Sequence, residues 1–501
     1  MSLLKNNLIK KDFLLYFLLF FTPLLNFIIN NLYFYNINYF FDIILIFFII
    51  FLLIIFSLQV FSYFHNRFIQ FFYFFFILWY LQFYYRDIYH LLNLDFNSNQ
   101  TQKYLIVFFL ILISSLIFYL SKIKKFKFFI KIFLFTFLFL NLVSNLDFMK
   151  SSDWKYEVDK RFLSEFNQLS DNSKKENIYF FLMDEMTSSK IYRNLGMDIN
   201  DYIEMYKSKG YKEFRNVYSN YNGSQITIGS LFNLDYYPVR KNIKEEYFYP
   251  YNLYNKEKPL LIKILDKLNY NFWYLDNQYM KCKSSISVQC INETNESFFH
   301  KILFDEALNI FFYKSFLNKF FYKYKFNKMN KIYKNTEIDY FKSFIEKNKK
   351  ILSKKNNFFF IHQMNPHYPF RNNNCDVLKN PYEVNVENYL SSTTCALEKI
   401  NEITDIIQLY DNNATVIFQG DHGFSKFSKN NPKDLRSFEI FNLVKLQSKC
   451  LIDYESISGN IDQFRSILMC SFEKKYNIRS SKKFYVKKRI KKIGTVLDEI
   501  N

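Results

Sequence analysis

Val416-Ile417-Phe418-Gln419-Gly420-Asp421-His422-Gly423 is an apolar, β-branched run that ends in adjacent Asp and His. A buried strand of this kind delivers two metal ligands to the edge of a sheet. The same arrangement recurs where Asn177-Ile178-Tyr179-Phe180-Phe181-Leu182-Met183 runs into Asp184-Glu185. It recurs again where Phe358-Phe359-Phe360-Ile361 leads to His362 and His367. Three such strands in one open α/β sheet would bring their polar ends to a common crevice, because ligands collect at the carboxyl ends of the strands. A metalloenzyme is the expectation.

Around these runs, from about residue 155, short apolar stretches alternate with amphipathic helical ones, as in an α/β domain with a largely parallel central sheet. Strands are predicted at Ile178 to Met183, Phe214 to Tyr218, Asn271 to Leu275, Phe358 to Gln363, Thr415 to Gln419 and Glu439 to Val444. The clearest helical patterns are Leu260 to Leu268, Phe298 to Tyr324, Glu337 to Leu352, Val386 to Leu409 and Ile461 to Phe472. Gly210 is placed to close a helix as a left-handed cap.

The 501-residue chain changes character near residue 150. Before that point lie five apolar segments, Phe13 to Ile29, Ile43 to Phe61, Phe68 to Tyr85, Tyr104 to Leu120 and Phe128 to Val143. About 20 residues of helix cover a hydrocarbon slab roughly 30 Å thick. Helices of a soluble bundle would carry a polar stripe, which these segments almost lack. Five transmembrane helices are therefore expected. Lys5, Lys10, Lys11, Arg67, Lys122, Lys124, Lys125 and Lys127 belong to one side and only Arg86 and Lys103 to the other, which predicts a cytoplasmic N-terminus and an extracytoplasmic second half. The expected division is 1–150 transmembrane, 151–475 catalytic and 476–501 a basic C-terminal segment. The expected location is the inner membrane, with the catalytic domain in the periplasm.

Cysteine usage agrees. Cys282, Cys290, Cys375, Cys395, Cys450 and Cys470 all lie in the second half. In an oxidising compartment they suggest disulfides, of which the sequential pairs 282–290, 375–395 and 450–470 are the simplest of 15 connectivities. The net charge of +20 raises a nucleic-acid reading, especially with Lys482, Lys483, Lys487, Lys488, Arg489, Lys491 and Lys492 clustered near the end. The topology argues against it. An extracytoplasmic basic face meets lipid headgroups or phosphorylated glycans, or is simply a solvated helix face.

The chemistry needs a nucleophile, and Ser219-Asn220-Tyr221-Asn222-Gly223-Ser224-Gln225-Ile226-Thr227 supplies hydroxyls where a helix is expected to start. Ser224 or Thr227 there would feel the positive field of the helix N-terminus, and a divalent cation would lower its pKa further. Each residue has a plainer role: Asp184 and Ser224 as helix caps, and Gly423 as the positive-φ residue of an Asp-His-Gly turn. Two carboxylates and an imidazole suit zinc or manganese, or calcium if the imidazole stays out.

The order strand-Asp184, Ser/Thr at a helix start, Asn365-Pro366-His367-Tyr368-Pro369-Phe370, then Gln419-Gly420-Asp421-His422-Gly423 resembles the sulfatase-like branch of the alkaline phosphatase superfamily, over about residues 177 to 475. Within it the sequence is most similar to envelope enzymes with five membrane helices and an outer catalytic domain, such as phosphoethanolamine transferases and lipoteichoic acid synthases. The resemblance implies that Asp184, Asp421 and His422 bind metal with the nucleophile Ser224, with Thr227 in reserve. It implies that His367 contacts the transferred group or the acceptor, and makes Glu185 a weaker ligand candidate. The transferases usually carry Thr as nucleophile. Working sulfatases mature a Cys or Ser followed by Pro and Arg, and Ser224-Gln225-Ile226-Thr227-Ile228 has neither. The expected function is thus transfer of a phospho-alcohol group to an envelope lipid or glycan through a covalent Ser intermediate. The alternatives are a sulfate or phosphate ester hydrolase acting on extracellular glycans, and an inactive structural homologue.

Overall fold

The computed structural model describes residues 2–31, 41–64, 67–84, 100–120, 122–149, 176–237, 258–275, 287–291, 311, 335–447, 452, 455–471, 481–490 and 494–500. The chain divides into two compact units, Met1–Ser152 with Glu296–Met329, and Asp153–Asn295 with Asn330–Asn501.

In the first unit each expected apolar segment falls largely in a helix: α1 (Ser2–Asn31), α2 (Phe41–Phe64), α3 (Arg67–Gln82), α4 (Gln100–Leu120) and α5 (Lys124–Met149). Among the described residues Asp12–Asn30 and Lys124–Ser144 are long and apolar enough to cross a membrane, while Ile43–Leu58 and Ile106–Leu120 are shorter apolar helices. The helices meet through aromatic rings: Phe20 stacks on Trp79 at 5.4 Å, and the Trp79 indole donates to the Phe20 carbonyl at 3.1 Å. Outward faces stay apolar, with Leu53, Phe56, Phe108, Phe128 and Phe135 all exposed. Such faces suit a hydrocarbon solvent. The helix expected at Phe298 to Tyr324 lies outside the described residues except Phe311, which is buried in this unit against Phe27, Phe47 and Phe83.

The second unit is built on a seven-stranded sheet in the order β2-β7-β6-β1-β5-β3-β4. Strands β1 (Ile178–Met183), β3 (Asn271–Leu275), β4 (Val288–Ile291), β5 (Asn357–Gln363) and β6 (Thr415–Gly420) run parallel, and β7 (Asn442–Lys445) pairs antiparallel with both β6 and β2 (Lys212–Glu213). Alternate residues of β1 feed two cores. Ile178, Phe180 and Leu182 pack with α8 (Ser224–Asn233), α9 (Leu260–Lys267) and α14 (Asn460–Ser471). Tyr179, Phe181 and Met183 pack with α7 (Asn200–Ser208), α10 (Glu337–Lys347) and α12 (Val386–Tyr410). A strand covered on both faces is an unbroken apolar run because neither parity meets water. Each fully buried Phe contributes about 2–3 kcal/mol.

Several details depart from expectation. The strand predicted at Phe214 to Tyr218 does not form: β2 lies just before it at Lys212–Glu213, Arg215 turns back to bind Glu213 at 2.7 Å, and Tyr218 only bridges to Glu439 and Gly459. Residues 439–441, predicted as strand, form a connection in which Phe441 N donates to Met186 O and Gly420 N to Phe441 O. β4, half-exposed and mixed in composition, had no apolar signal. The basic tail contains β8 (Lys483–Ile490) and β9 (Gly494–Ile500), a hairpin rather than a helix face. It is part of the second unit: Phe484 stacks on Tyr221 at 5.4 Å and its amide donates to Asn220 O. Gly210 is left-handed as expected, at φ +87°. Cys375 and Cys395 form a disulfide with Cα atoms 5.0 Å apart. Cys290 and Cys470 are also disulfide-bonded, and Cys282 and Cys450 lie outside the described residues.

Candidate metal centre and nucleophile

The three strands read first from the sequence are neighbours in the sheet, in the order β6-β1-β5, with Met183 level with both Gly420 and Gln363. One residue further, Asp184 N donates to Gln363 O at 2.9 Å and Asp421 N to Met183 O at 3.1 Å. The two aspartates thus leave adjacent strands at the same level, and each is buried.

Asp184, Asp421 and His422 offer ligand atoms that all lie within 4.8 Å of one another. His422 Nδ1 faces the Gly423 carbonyl at 2.7 Å and must be the donor there, which leaves Nε2 as the ring nitrogen facing the carboxylates. Ser224 Oγ lies 3.1 Å from that Nε2 and 3.4 Å from Asp184 Oδ1. Asp421 Oδ1 accepts from the amides of Glu185 and His422, whereas its Oδ2 is buried with no hydrogen-bond partner. Two carboxylates, an imidazole and a hydroxyl with one orphaned oxygen fit a divalent cation held at about 2.0–2.2 Å from each ligand.

Electrostatics agree. Burial, and then the charges of Asp421 and Glu185, hold Asp184 well above the usual carboxylate range, partly offset by the Ser224 hydrogen bond. His362 and His367 supply little compensating charge. Burial pushes His362 down to about 4 and lowers His367 as well, the latter against the pull of Glu185. Grouped acids facing His362 and His367 leave a place for positive charge that no Lys or Arg side chain fills among the described residues.

The plainer roles are taken by neighbours. Ser188, not Asp184, caps α6 (Ser189–Asn194) by accepting from Ile191 N. The N-cap of α8 is Gly223, with no side-chain cap bond, which leaves Ser224 in the first turn with its hydroxyl toward the acids. Gly423 is not at positive φ. It is glycine because a Cβ would lie 2.4 Å from Arg436 O, as one on Gly420 would lie 2.2 Å from Met186 O.

The remaining candidates are placed differently. Thr227 is fully buried, its hydroxyl 3.4 Å from Ser219 Oγ and 3.5 Å from the Tyr221 carbonyl. The Glu185 carboxylate faces His367 Nε2 at 3.6 Å rather than the Asp-Asp-His cluster. His367 Nδ1 donates to Tyr368 O at 2.9 Å and lies 3.8 Å from Asp184 Oδ2. His362, quoted in the sequence reading without a role, has Nε2 3.9 Å from the same oxygen. Two supports were missed. Tyr389 donates to the Glu185 carbonyl at 2.6 Å, holding that residue at φ 63°, and the Glu337 carboxylate accepts Met364 N at 3.1 Å beneath the His367 loop. Only their positions in helical patterns were visible, and those signal burial alone.

No family model matches the sequence, and no curated protein matches it. The structure is similar to solved ones. One is the C-terminal periplasmic domain of phosphoethanolamine transferase EptC from Campylobacter jejuni, at 12% identity over 61% of this chain and 92% of that one, TM-score 0.37. Another is the integral membrane lipooligosaccharide phosphoethanolamine transferase EptA from Neisseria meningitidis, at 13% identity over 76% and 71%, TM-score 0.34. A third is the lipoteichoic acid synthase LtaP from Listeria monocytogenes, at 12% identity over 65% and 82%, TM-score 0.37.

Proposed function

We propose that the chain is a membrane-anchored, metal-dependent phosphotransferase of the sulfatase-like branch of the alkaline phosphatase superfamily, with five membrane helices, a cytoplasmic N-terminus and an extracytoplasmic catalytic unit. The observation that carries this reading is the Ser224 hydroxyl set 3.1 Å from His422 Nε2 and 3.4 Å from Asp184 Oδ1, beside the unsatisfied Asp421 Oδ2. A transferase needs an activated hydroxyl among groups that hold a cation.

Asp184, Asp421 and His422 would hold the ion, zinc or manganese by their donor chemistry. Once bound it supplies positive charge that lowers the Ser224 pKa and offsets charge on a phosphate. Ser224 Oγ attacks the phosphorus of a phosphodiester, the P–O bond to the donor alcohol breaks, and a phosphoseryl bond forms. His367, with Nδ1–H committed to the Tyr368 carbonyl, would use its Nε2 lone pair to take the proton of the attacking acceptor hydroxyl, and only as the imidazolium would its Nε2–H hold a phosphate oxygen or protonate the departing alcohol. An acceptor hydroxyl, or water, then takes the group from Ser224. A membrane lipid donor and an envelope lipid or glycan acceptor follow from a site tethered at the membrane.

Intact-mass and peptide mass spectrometry of the purified chain tests the reading. A covalent phospho-group on Ser224, absent from Ser224→Ala, is expected, and its mass names the transferred group. Product analysis separates transfer, which leaves a decorated acceptor, from hydrolysis, which leaves free phosphate or sulfate. Turnover by Ser224→Ala at the native rate would exclude the mechanism.

A further inference from the structure

A cavity of ≈ 380 Å³ lies in the second unit, between the start of α6, the loop Arg215–Tyr218, residues Leu435 and Glu439, and Lys483 of the C-terminal hairpin. No step of the proposed reaction uses it. Its charges are arranged in layers. Glu213 is satisfied by Ser189 Oγ at 2.7 Å and Arg215 Nε at 2.7 Å, which leaves the two terminal nitrogens of that guanidinium uncommitted among the described residues. Glu439 is likewise satisfied, by Ser188 Oγ at 2.9 Å and Lys190 Nζ at 3.1 Å. Lys483 is the cation left over. Its Nζ sits 3.8 Å above the centre of the Tyr218 ring, and among the described residues no carboxylate lies within ion-pair distance of it.

A half-buried ammonium held on an aromatic face is fixed in position at little entropic cost, yet its charge is only partly met by the ring. Burial lowers its pKa, opposed by Glu439. An anion entering the cavity would complete the charge balance, since Lys483 and the outward edge of Arg215 would then face a common guest. The carboxylates do not repel it fully, because each already has a cation and a hydroxyl donor.

We propose that this cavity is an anion subsite that takes the phosphate or sulfate group of a small ester. Its border with the metal cluster is the segment Ser437–Glu439. Glu439 O accepts from Thr187, Phe438 O accepts from Ser219 N, and Ser219 Oγ donates to the Asp421 carbonyl.

The test is calorimetric titration of glucose 6-phosphate, inorganic phosphate and glucose into the full-length chain in detergent, stripped of metal by a chelator. Stripping separates this subsite from the cluster, so a failed catalytic reading leaves the result intact. Saturable binding of either phosphate is expected, weakening with added salt, with about tenfold lower affinity in Lys483→Gln and in Arg215→Gln. Tighter binding of glucose 6-phosphate than of phosphate would add contacts to the sugar hydroxyls. No saturable binding of either phosphate, equal binding of uncharged glucose, or affinity unchanged in both variants overturns the proposal. Should a variant melt early, the salt dependence of the unsubstituted chain still decides, because binding indifferent to salt would equally overturn it.

Discussion

Each end of the central sheet buries an aspartate, and the two ends treat it oppositely. At the amino end Asp411 accepts from Asn177 Nδ2 at 2.7 Å and Tyr179 OH at 3.0 Å, and Asn177 also binds Asn357 and the Leu352 carbonyl. Burial raises its pKa, but both hydrogen bonds and the Lys355 charge pull it back. At the carboxyl end Asp184 has one weak donor, Ser224 at 3.4 Å, while its charged neighbours Asp421 and Glu185 repel it. A buried carboxylate surrounded by donors holds a fold together; one surrounded by like charge awaits a cation.

The sharpest break of that contrast is at Ser224. Ser224→Ala should lower turnover by about 10³-fold or more, because the attacking atom is gone, with metal still bound at reduced occupancy. Rate assays with metal analysis on the same preparation check both halves. Asp421→Ala should lose turnover and metal together, since it removes the orphaned oxygen, and metal should then no longer raise the melting temperature.

The two aspartates also separate by pH. Both have folded-state pKa values raised above the unfolded value, so for each the stabilising contribution is present at low pH and lost as pH rises through the folded pKa. In metal-stripped protein these two groups should therefore favour a higher melting temperature as the pH falls from neutrality, against the opposite trend from His362 and His367, whose lowered folded-state pKa values cost stability over the same range. Added metal should abolish the part due to Asp184 and leave the part due to Asp411, since only Asp184 lies in the cluster. Melting curves with and without chelator, across pH, would show it; identical pH dependence in both would collapse the contrast. Asp411→Ala, in turn, should cost about 2–3 kcal/mol of stability by orphaning Asn177 and Tyr179, with metal affinity unchanged.

Why one end was legible and the other was not follows from chain periodicity. β1, β5 and β6 are unbroken apolar runs, and their register carries Asp184, His362 and Asp421 to one edge. Strand neighbours in space were inferable because parallel sheets gather strand-end residues. Gly423 of the Asp-His motif was visible but misassigned: a positive φ is a local property, whereas the approach of Arg436 O to Gly423, like that of Met186 O to Gly420, is tertiary. Asn177 and Asp411 are 234 residues apart and flank otherwise ordinary elements, so no pattern paired them. The basic tail read as a helix face because its charges dominate, while Phe484, which docks it on Tyr221, is one aromatic in a chain that is 22% aromatic.

The smallest effect is expected at Thr227, three residues beyond Ser224 and left open by the sequence. About one helical turn separates the two hydroxyls, which keeps them on one face, but Thr227 sits a turn further along and is packed against Ser219 and Tyr221 instead of the acids. Its Oγ1 meets Ser219 and the Tyr221 carbonyl at 3.4 and 3.5 Å, long contacts that stabilise weakly. Thr227→Ala should cost about 1 kcal/mol of stability, partly through a small void in a fully buried site, and leave turnover within about threefold. Ser219 also donates to the Asp421 carbonyl, so any loss in rate should come with weaker metal binding and be restored by excess metal. Loss of turnover that excess metal fails to restore, alongside an active Ser224→Ala, would transfer the nucleophile's role to Thr227 and leave Ser224 as a donor to Asp184.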